Sequence, residues 1–175
     1  DKKETAQKMA EDIDEMEKML SDYLQYAKSQ TEEKSVKINI NKLIGNILKK
    51  YDPSKYNFIS NNVPEIQGRE NLIKRCILNV IENGFAYGNK IFVETKRSIN
   101  NIIVTIEDNG PGIPKNEYPN VFRPFYRIDK SRGLNKSGIG LGLSVAQDIT
   151  KSHGGNISLS ESRYKGLLVK ISFPF

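Results

Sequence analysis

The chain has 175 residues, with 27 Lys or Arg against 21 Asp or Glu, so its formal net charge is +6 and its length suits one domain with an appended element. The basic surplus suits an anionic ligand, but it is not gathered in a run, which argues against a nucleic-acid partner. The single cysteine, Cys76, lies among apolar residues. One cysteine excludes an internal disulfide and favours a reducing compartment. No apolar segment approaches the roughly 20 residues of a membrane span.

A long amphipathic helix is predicted for residues 1–30. Apolar residues recur three and four positions apart, and charged residues fill most of the other positions. The seam consists of Ala6, Met9, Ile13, Met16, Leu20, Tyr23 and Ala27. Met19 and Leu24 widen it, which favours a helical bundle over a two-stranded coiled coil. Such a helix needs a partner, which is either the rest of its own domain or the other arm of a dimerisation hairpin.

Short elements are expected between residues 36 and 68. Residues 36–40 alternate like a half-buried strand, and Asn41 is a suitable N-cap for a helix through about residue 51. A second short strand is expected near residues 56–59, and residues 63–68 are predicted to be a loop.

A stronger helix is predicted from residue 69 to residue 87, since apolar residues mark one of its faces. Asn79 and Asn83 are four residues apart and project from one face, with Glu82 and Tyr87 close by. Asparagine is a poor helix former and is costly to bury without a partner. The two asparagines therefore either face solvent or bind a ligand, and a carboxamide oxygen suits Mg²⁺ that also contacts nucleotide phosphates.

Strands near residues 91–95 and 102–107 are predicted to form a hairpin, and the second strand runs into Asp108-Asn109-Gly110-Pro111-Gly112-Ile113. Taken alone, this composition is typical of a tight turn. A second interpretation is that the glycines let a flat ligand lie against the backbone while Asp108 accepts a hydrogen bond from its edge.

Residues 115–137 are predicted to form neither regular helix nor strand. Segments of this length without regular structure are usually functional lids or disordered. Six basic residues and two acidic ones lie here, which is much of the basic surplus of the chain. Because Phe122, Phe125 and Tyr126 are embedded among these charges, we expect the three rings to anchor a basic lid against the body of the domain.

A second glycine-rich motif, Gly138-Ile139-Gly140-Leu141-Gly142-Leu143, leads into a helix predicted for residues 144–152. Glycines at a helix start leave backbone N–H groups available for phosphate oxygens, and the helix dipole favours the same ligands. The motif is neither a Walker A loop nor a dinucleotide fingerprint, because no Gly-Lys-Ser/Thr occurs and Leu143 replaces the third glycine. His153 and two glycines end the helix, and strands near residues 156–161 and 167–173 close the domain.

The motifs resemble, in the same order, the four nucleotide-site motifs of the histidine kinase catalytic domain. Residues 79–83 resemble the N box, 108–113 the first glycine box, 122–125 the F box and 138–142 the second glycine box. The N-terminal helix resembles the second arm of the dimerisation and phosphotransfer hairpin of that family. The short lid and the sequence that ends at Gly88 are most similar to osmosensing kinases of the EnvZ type.

This resemblance implies two domains, with residues 1–33 as the incomplete hairpin and residues 34–175 as the catalytic ATP-binding domain. The implied fold is the Bergerat ATP-binding fold, a two-layer α/β sandwich with a mixed sheet, preceded here by the long N-terminal helix. ATP and Mg²⁺ are the implied ligands, held under the lid.

The resemblance also assigns roles to individual residues. Asp108 is expected to accept a hydrogen bond from the adenine amine, and Asn83 is expected to bind the metal. Asn79 is expected either to contact the phosphates or to hydrogen-bond a group that binds the metal. The implied nucleotide-binding residues are Asn79, Asn83, Tyr87, Asp108, Gly110, Gly112, Ile113, Phe125, Gly138, Gly140, Leu141 and Gly142. The implied catalytic residues are Asn79, Glu82, Arg127, Arg132 and Lys136.

The chain departs from the family pattern in two places. Ala86 stands where many relatives have a basic residue, and no phosphoacceptor motif is present, since His153 is the only histidine. The resemblance therefore implies transfer of the γ-phosphoryl group to a histidine outside this chain, without autophosphorylation of the chain alone. The implied partners are the histidine-bearing helix of a homodimeric parent and a response regulator of the OmpR type. The implied location is a cytoplasmic fragment of a sensor in the inner or plasma membrane.

Two alternatives stand beside this interpretation. Gyrase-type, chaperone and mismatch-repair ATPases share the fold, but they resemble one another in having a glutamate that activates water four residues before the metal asparagine. Asn79 occupies that position here and lacks useful basicity, which favours phosphoryl transfer over hydrolysis. The second alternative is a non-catalytic ATP-binding module that only dimerises.

Overall fold

The structure, a computed structural model, describes residues 33–128 and 140–175, together with residues 5–7, 9, 10, 13, 14, 17 and 21. The chain divides into two compact units, Asp1–Glu33 and Lys34–Phe175. In the first unit, every described residue before Glu33 is helical, and the seam residues Ala6, Met9 and Ile13 are exposed. The rest of the predicted seam lies outside the described residues.

The second unit is built on a five-stranded mixed sheet and a separate two-stranded ladder. Its strands are β1 (Val36–Ile38), β2 (Tyr56–Ser60), β3 (Ile66–Gly68), β4 (Ile91–Arg97), β5 (Asn101–Asp108), β6 (Asn156–Glu161) and β7 (Leu167–Pro174). The large sheet has the order β2-β4-β5-β7-β6, and β1 pairs with β3. Only the β2–β4 pair is parallel, so the described sheet is mixed.

Three α-helices in the described part of this unit form the second layer. They are α1 (Ile40–Leu48), α2 (Glu70–Tyr87) and α3 (Gly142–Ser152). Successive residues of a strand point to opposite faces, and in β5 Val104 and Ile106 are buried beneath the helices while Ile103 and Thr105 are half-buried on the other face. This arrangement confirms the predicted two-layer α/β sandwich with a mixed sheet. No helix in the described ranges is long and apolar enough to cross a membrane.

Helices α2 and α3 pack against one another around the only cysteine. Cys76 Sγ lies 3.5 Å from the carbonyl oxygen of Ala146 and 3.5 Å from Thr150 Oγ1. Burial raises the pKa of the Cys76 thiol to about 12, although the hydrogen bond with Thr150 acts in the opposite direction. Because the thiolate is the reactive form and little of it exists at neutral pH, Cys76 is an unreactive core residue. Its apolar neighbours in the sequence predict this role.

The start of α1 corrects one prediction. Asn39, not Asn41, is the N-cap, and its Oδ1 accepts a hydrogen bond from the backbone N–H of Lys42 at 2.9 Å. Ile40 is fully buried inside the helix rather than at the end of a strand. It fits both periodicities, because it continues the alternation of β1 and also begins the apolar face of α1. Asn41 instead accepts a hydrogen bond from Thr95 Oγ1 at 2.7 Å.

The prediction of a loop at residues 63–68 is wrong, because these residues include β3. Ile66 pairs with Ile38 in the ladder, and both side chains are buried. A strand of three residues is too short for periodicity to reveal. The predicted bounds of α2, α3 and the strands of the large sheet, by contrast, lie within two residues of the observed ones.

Candidate nucleotide-binding site

Asp108 is the last residue of β5 and has a well-defined orientation. Its side chain is buried, and Oδ1 accepts hydrogen bonds from the backbone N–H groups of Gly110, at 2.8 Å, and Leu167, at 3.3 Å. Across residues 33–128 and 140–175, nothing donates to Oδ2, and this oxygen is not sealed from solvent. One oxygen of the carboxylate is therefore fixed by the protein, and the other is available to a ligand.

The surroundings of Asp108 suit a neutral hydrogen-bond donor. Burial raises the pKa of Asp108, and the two hydrogen bonds from Gly110 and Leu167 offset only part of this rise. In a site of lowered polarity, a hydrogen bond to the carboxylate is stronger than the same bond in water. The arrangement therefore favours a ligand that donates a hydrogen bond to Oδ2.

The glycines after Asp108 lie where side chains would collide. A Cβ at Gly110 would lie 2.7 Å from the carbonyl oxygen of Tyr87. Gly112 has φ +72°, a left-handed conformation that favours glycine, and its built Cβ would lie 3.3 Å from the carbonyl oxygens of Lys165 and Gly166. The close neighbours of both glycines are atoms of the protein itself, mostly backbone, so the first glycine box is packed tightly between α2 and the β6–β7 connection.

Asn79 and Asn83 lie one turn apart on α2, and both side chains are half-buried. Asn79 Nδ2 donates to the carbonyl oxygen of Gly142, the first residue of α3, at 3.3 Å. The Asn83 carboxamide has no hydrogen-bond partner among the residues that the structure describes. Glu82 and Tyr87 are exposed on the same helix.

The side chains around Asn83 fit a metal ion only if a ligand completes its coordination. In the described part of the chain, no group of three or more His, Cys, Asp or Glu residues could hold a metal. Mg²⁺ commonly takes one or two protein oxygens and fills its octahedron with waters and phosphate oxygens. Asn83 on α2 fits that role, because its carboxamide is half-buried and has no hydrogen-bond partner within the described ranges.

The second glycine box begins α3 beside the F box. Gly140 has φ +77°, and its carbonyl oxygen accepts from the backbone N–H of Phe125 at 3.0 Å. Leu141 is the N-cap residue, and no side-chain hydrogen bond from the described residues caps the helix. Because the first N–H groups of a helix lack partners within the helix, the start of α3 is suited to an anionic ligand. Gly138 lies outside the described residues.

The lid segment contains two short 3₁₀ turns, Lys115–Glu117 and Asn120–Phe122. Tyr126 is tied back to the first of these turns, because its hydroxyl donates to Glu117 Oε2 at 2.6 Å. The expectation that Phe125 anchors the lid is wrong, since its side chain is 61% exposed and its φ is +64°.

In the described part of the lid, residues 115–128, Val121 is the buried residue instead. Its apolar side chain lies one position before the F box, and because valine is not aromatic, the pattern of rings does not predict it as an anchor. Of the predicted lid cations, Arg127 is half-buried, and Arg132 and Lys136 lie outside the described residues.

Helix α2 connects the motifs that the sequence predicts to form one site. Its C-terminal turn meets the first glycine box at Tyr87 and Gly110, and its middle meets the second glycine box at Asn79 and Gly142. Ile113, which follows the first glycine box, is half-buried. Three of the four motifs are thus linked directly or through this helix, and the F box joins them through Gly140.

His153 lies at the opposite end of α3 and is bound through both ring nitrogens. Nε2 accepts from the backbone N–H of Arg69 at 3.1 Å, and Nδ1 donates to the carbonyl oxygen of Ile149 at 2.7 Å. An imidazole that accepts from an amide is neutral. His153 thus makes its hydrogen bonds within the domain, at the C-terminal end of α3.

One part of the site, the connection between β6 and β7, is not predicted by any local pattern in the sequence. Leu167 donates to Asp108, and Gly166 lies so close to Asp108 that a Cβ there would collide with the carboxylate and the backbone. A glycine before a strand predicts a turn, but nothing local predicts which strand the turn contacts.

Comparison with known proteins identifies the family. Residues 68–175 match the family described as histidine kinase-, DNA gyrase B- and HSP90-like ATPases. The chain belongs to this family. It is an ATP-binding domain of the type found in sensor histidine kinases, which confirms the resemblance seen in the motifs.

Individual relatives agree with this assignment. The signal transduction histidine-protein kinase ArlS of Staphylococcus aureus is 38% identical over 112 residues, which cover 62% of this chain and 25% of ArlS. The sensor histidine kinase GtrS of Pseudomonas aeruginosa is 29% identical over 170 residues, 96% of this chain and 35% of GtrS. The chain thus spans about a quarter to a third of the length of these curated relatives.

Solved structures share the fold. The histidine kinase domain of the Escherichia coli osmosensor EnvZ superposes with a TM-score of 0.60 at 28% identity, over 81% of this chain and 88% of that one. The mycobacterial sensor histidine kinase MprB superposes with a TM-score of 0.68 at 24% identity, over 81% of this chain and 97% of that one.

Proposed function

We propose that this chain is the catalytic, ATP-binding part of a two-component sensor histidine kinase. It transfers the γ-phosphoryl group of ATP to a histidine outside this chain, for relay to an aspartate of a response regulator. The observation that carries the choice of transfer over hydrolysis is Asn79. Its carboxamide donates to Gly142 from the position where hydrolytic relatives have a glutamate, and an amide cannot take a proton from water.

Asp108 supplies adenine recognition in this proposal. Oδ2 accepts from the exocyclic amine of the base, while Oδ1 stays bound to the N–H groups of Gly110 and Leu167. A carboxylate can only accept, so the site opposes a base with a carbonyl at the same position. Leaving that pair unmatched costs about 1–3 kcal/mol.

The phosphates extend from the base toward α3. The backbone N–H groups at the start of α3, near Gly140, Leu141 and Gly142, bind phosphate oxygens, and Asn79 holds this helix start in place. Asn83 holds Mg²⁺, which when bound neutralises phosphate charge. The lid cations Arg127, Arg132 and Lys136 and the N-box residue Glu82 complete the proposed catalytic set.

The proposed partners follow from the relatives and from the absence of an acceptor histidine. The phosphoryl group goes to a histidine-bearing helix of a homodimeric parent, in which residues 1–33 form the second arm of the hairpin. The response regulator is of the OmpR type, and the parent is a membrane sensor. The names of ArlS and GtrS as histidine kinases support this assignment.

A transfer assay tests the proposal. The purified chain is incubated with γ-labelled ATP, Mg²⁺ and a helical fragment that carries the family's histidine, and we expect acid-labile label on the fragment. Asn83→Ala is the loss-of-function control. Release of labelled phosphate without label on the fragment would identify an ATPase. ATP binding without either product would identify a non-catalytic module.

A further inference from the structure

The β6–β7 hairpin, residues 162–166, lies against the part of the site assigned to adenine. Immediately after it, Leu167 N–H donates to Asp108 Oδ1 at 3.3 Å. Gly166 touches the backbone of Asp108 so closely that only a glycine fits there. On its other side, the carbonyl oxygens of Lys165 and Gly166 lie against Gly112 of the first glycine box. The hairpin and the residue after it therefore contact both the acceptor Asp108 and the first glycine box.

One ion pair fastens the hairpin to the sheet. Glu107, the neighbour of Asp108 in β5, has a side chain only 3% exposed, and that of Arg163 is 68% exposed. Arg163 donates to Glu107 Oε1 from Nη2 at 2.7 Å and from Nε at 3.2 Å. The backbone N–H of Arg163 and the hydroxyl of Ser162 donate to Oε2 at 3.0 and 3.1 Å. Four donors thus hold one buried carboxylate, and two of them belong to a single exposed side chain.

An aromatic stack makes a second attachment on the same face. The rings of Tyr164 and Phe92 are stacked with their centroids 3.5 Å apart and an interplanar angle of 13°. The guanidinium carbon of Arg163 lies 5.7 Å from the centroid of the Tyr164 ring. Arg163 therefore takes part in both attachments, although its side chain lies on the outside of the sheet.

We infer that Arg163 is a positioning residue for adenine recognition. Through its pair with Glu107 it holds the hairpin in the place where Leu167 N–H fixes Oδ1 of Asp108, and this leaves Oδ2 for the exocyclic amine. Arg163 acts through its neighbours and does not touch the base. This inference rests on the proposed function, because it requires Asp108 to bind adenine.

The effect has a simple physical basis. A carboxylate on a single rotatable bond recognises a donor well only when neighbouring groups hold its rotamer. Loss of the two Arg163 side-chain donors loosens the hairpin, and the Leu167 N–H no longer holds Oδ1 in one place. Contacts to the triphosphate, which lie at the start of α3, do not depend on the hairpin.

The test compares two nucleotides that differ by one donor. Purine riboside triphosphate is ATP without the exocyclic amine, so the ratio of the two affinities reports the bond to Asp108 alone. In Arg163→Gln we expect ATP affinity to fall about five- to tenfold, the loss of one ordinary hydrogen bond, with the affinity for purine riboside triphosphate unchanged. Arg163→Lys, which keeps the charge and one donor, should restore part of the ratio.

Arg97→Gln is the matched control. It removes the same charge from an exposed arginine at the other end of β4, where the guanidinium lies 5.1 Å from the ring of Phe175. The nucleotide ratio should not change in this variant. Tyr164→Leu, which weakens the stack and leaves the ion pair in place, should lower the ratio in the same direction as Arg163→Gln.

The outcomes separate this inference from the proposed function. If the wild-type chain does not distinguish the two nucleotides, the proposed role of Asp108 fails, and the inference fails with it. If the wild type distinguishes them and Arg163→Gln does so equally well, the positioning role is overturned and the proposed function stands. An equal loss of both affinities in Arg163→Gln would indicate general damage to the site and would also overturn the inference.

Discussion

Asn79 Nδ2 donates to the carbonyl oxygen of Gly142 at 3.3 Å and so joins the middle of α2 to the first residue of α3. One turn further along α2, the Asn83 carboxamide makes no such bond within the described residues. The two asparagines of the N box thus have different surroundings. Asn79 links two helices of the domain, whereas the side-chain oxygen of Asn83 is available for a ligand.

Asn83→Ala is expected to weaken nucleotide binding in the presence of Mg²⁺ far more than in its absence. The reason is that the lost oxygen binds the metal rather than the nucleotide or another part of the protein. Calorimetric titration of ATP with Mg²⁺ and with a chelator measures both affinities. Equal losses in the two titrations would show that Asn83 is not the metal ligand.

Asn79→Ala is expected to give the opposite pattern, a similar loss with and without metal. Its removal frees the start of α3, and the backbone N–H groups that bind phosphate then lose their fixed position. Loss of one neutral hydrogen bond also lowers the free energy of unfolding by about 0.5–1.5 kcal/mol. The same calorimetric titrations of ATP, with Mg²⁺ and with a chelator, measure this loss, and a thermal melt of each variant measures stability. Asn79→Ala and Asn83→Ala thus serve as controls for one another. A selective loss of metal-dependent binding in Asn79→Ala would contradict the assignment.

Asp108→Asn is expected to lose ATP affinity without losing stability. Burial raises the pKa of Asp108, and the hydrogen bonds from Gly110 and Leu167 offset part of this. A carboxyl whose folded-state pKa lies above the unfolded value makes folding less favourable as the pH rises between those two values, and the penalty is constant above them. Asparagine removes this penalty and keeps an acceptor for both N–H groups, but it presents a donor to the adenine amine.

Competition binding and thermal melts at neutral pH check both halves of that prediction. The wild type should prefer ATP to GTP, and Asp108→Asn should narrow the preference while its melting temperature stays at or above that of the wild type. GTP binding within a few-fold of ATP in the wild type would refute adenine recognition by Asp108. A large fall in melting temperature would show that the carboxylate is mainly structural.

Gly110→Ala and Gly45→Ala form a matched pair with opposite expected effects on the free energy of unfolding. A methyl group at Gly110 would lie 2.7 Å from the carbonyl oxygen of Tyr87 and 2.9 Å from Asp108 Oδ1, whereas nothing lies within 4 Å of a methyl group at Gly45 inside α1. We expect Gly110→Ala to cost about 1–3 kcal/mol of stability and to weaken ATP binding. Gly45→Ala should gain about 0.5–1 kcal/mol and leave binding unchanged. Denaturant titration and calorimetry measure these effects, and a neutral result at Gly110 would mean that the loop adjusts freely.

The sequence predicts the elements of this site better than their contacts. Asn79 and Asn83 are separated by one helical turn, so their common face follows from helical geometry alone. Asp108 at the end of an apolar run is likewise a local feature. The bond between Asp108 and Leu167 joins residues 59 positions apart and depends on the pairing of β5 with β7, which no local pattern specifies.

Two incorrect predictions, Asn41 as the N-cap of α1 and Phe125 as an anchor of the lid, have the same origin. Asn39 and Asn41 are equally good caps by composition, and the choice between them depends on where Ile40 is buried. Phe125 is exposed although aromatic residues are commonly buried, because its positive φ turns the chain beside Gly140. In both cases tertiary packing, rather than local propensity, decides the position of the residue.

His153 is expected not to accept a phosphoryl group. Both of its ring nitrogens are bound within the domain, to Arg69 N–H and to the carbonyl oxygen of Ile149. It also lies at the end of α3 that is remote from the nucleotide site, and the roughly 1.5 Å rise per residue over ten residues places it about 15 Å from the helix start, too far for in-line attack. A phosphoacceptor histidine instead needs an exposed nitrogen with an acidic neighbour to take its proton.

His153→Ala separates the structural role from a chemical one. Removing the ring leaves the Arg69 N–H without its acceptor, so the free energy of unfolding should fall by about 1–3 kcal/mol. Transfer of label to a supplied helical fragment that carries the family's histidine should continue below the lowered melting temperature. The wild-type chain alone, incubated with γ-labelled ATP, should stay unlabelled. Acid-labile label on the wild type that disappears in His153→Ala would show that this histidine is itself a phosphoacceptor.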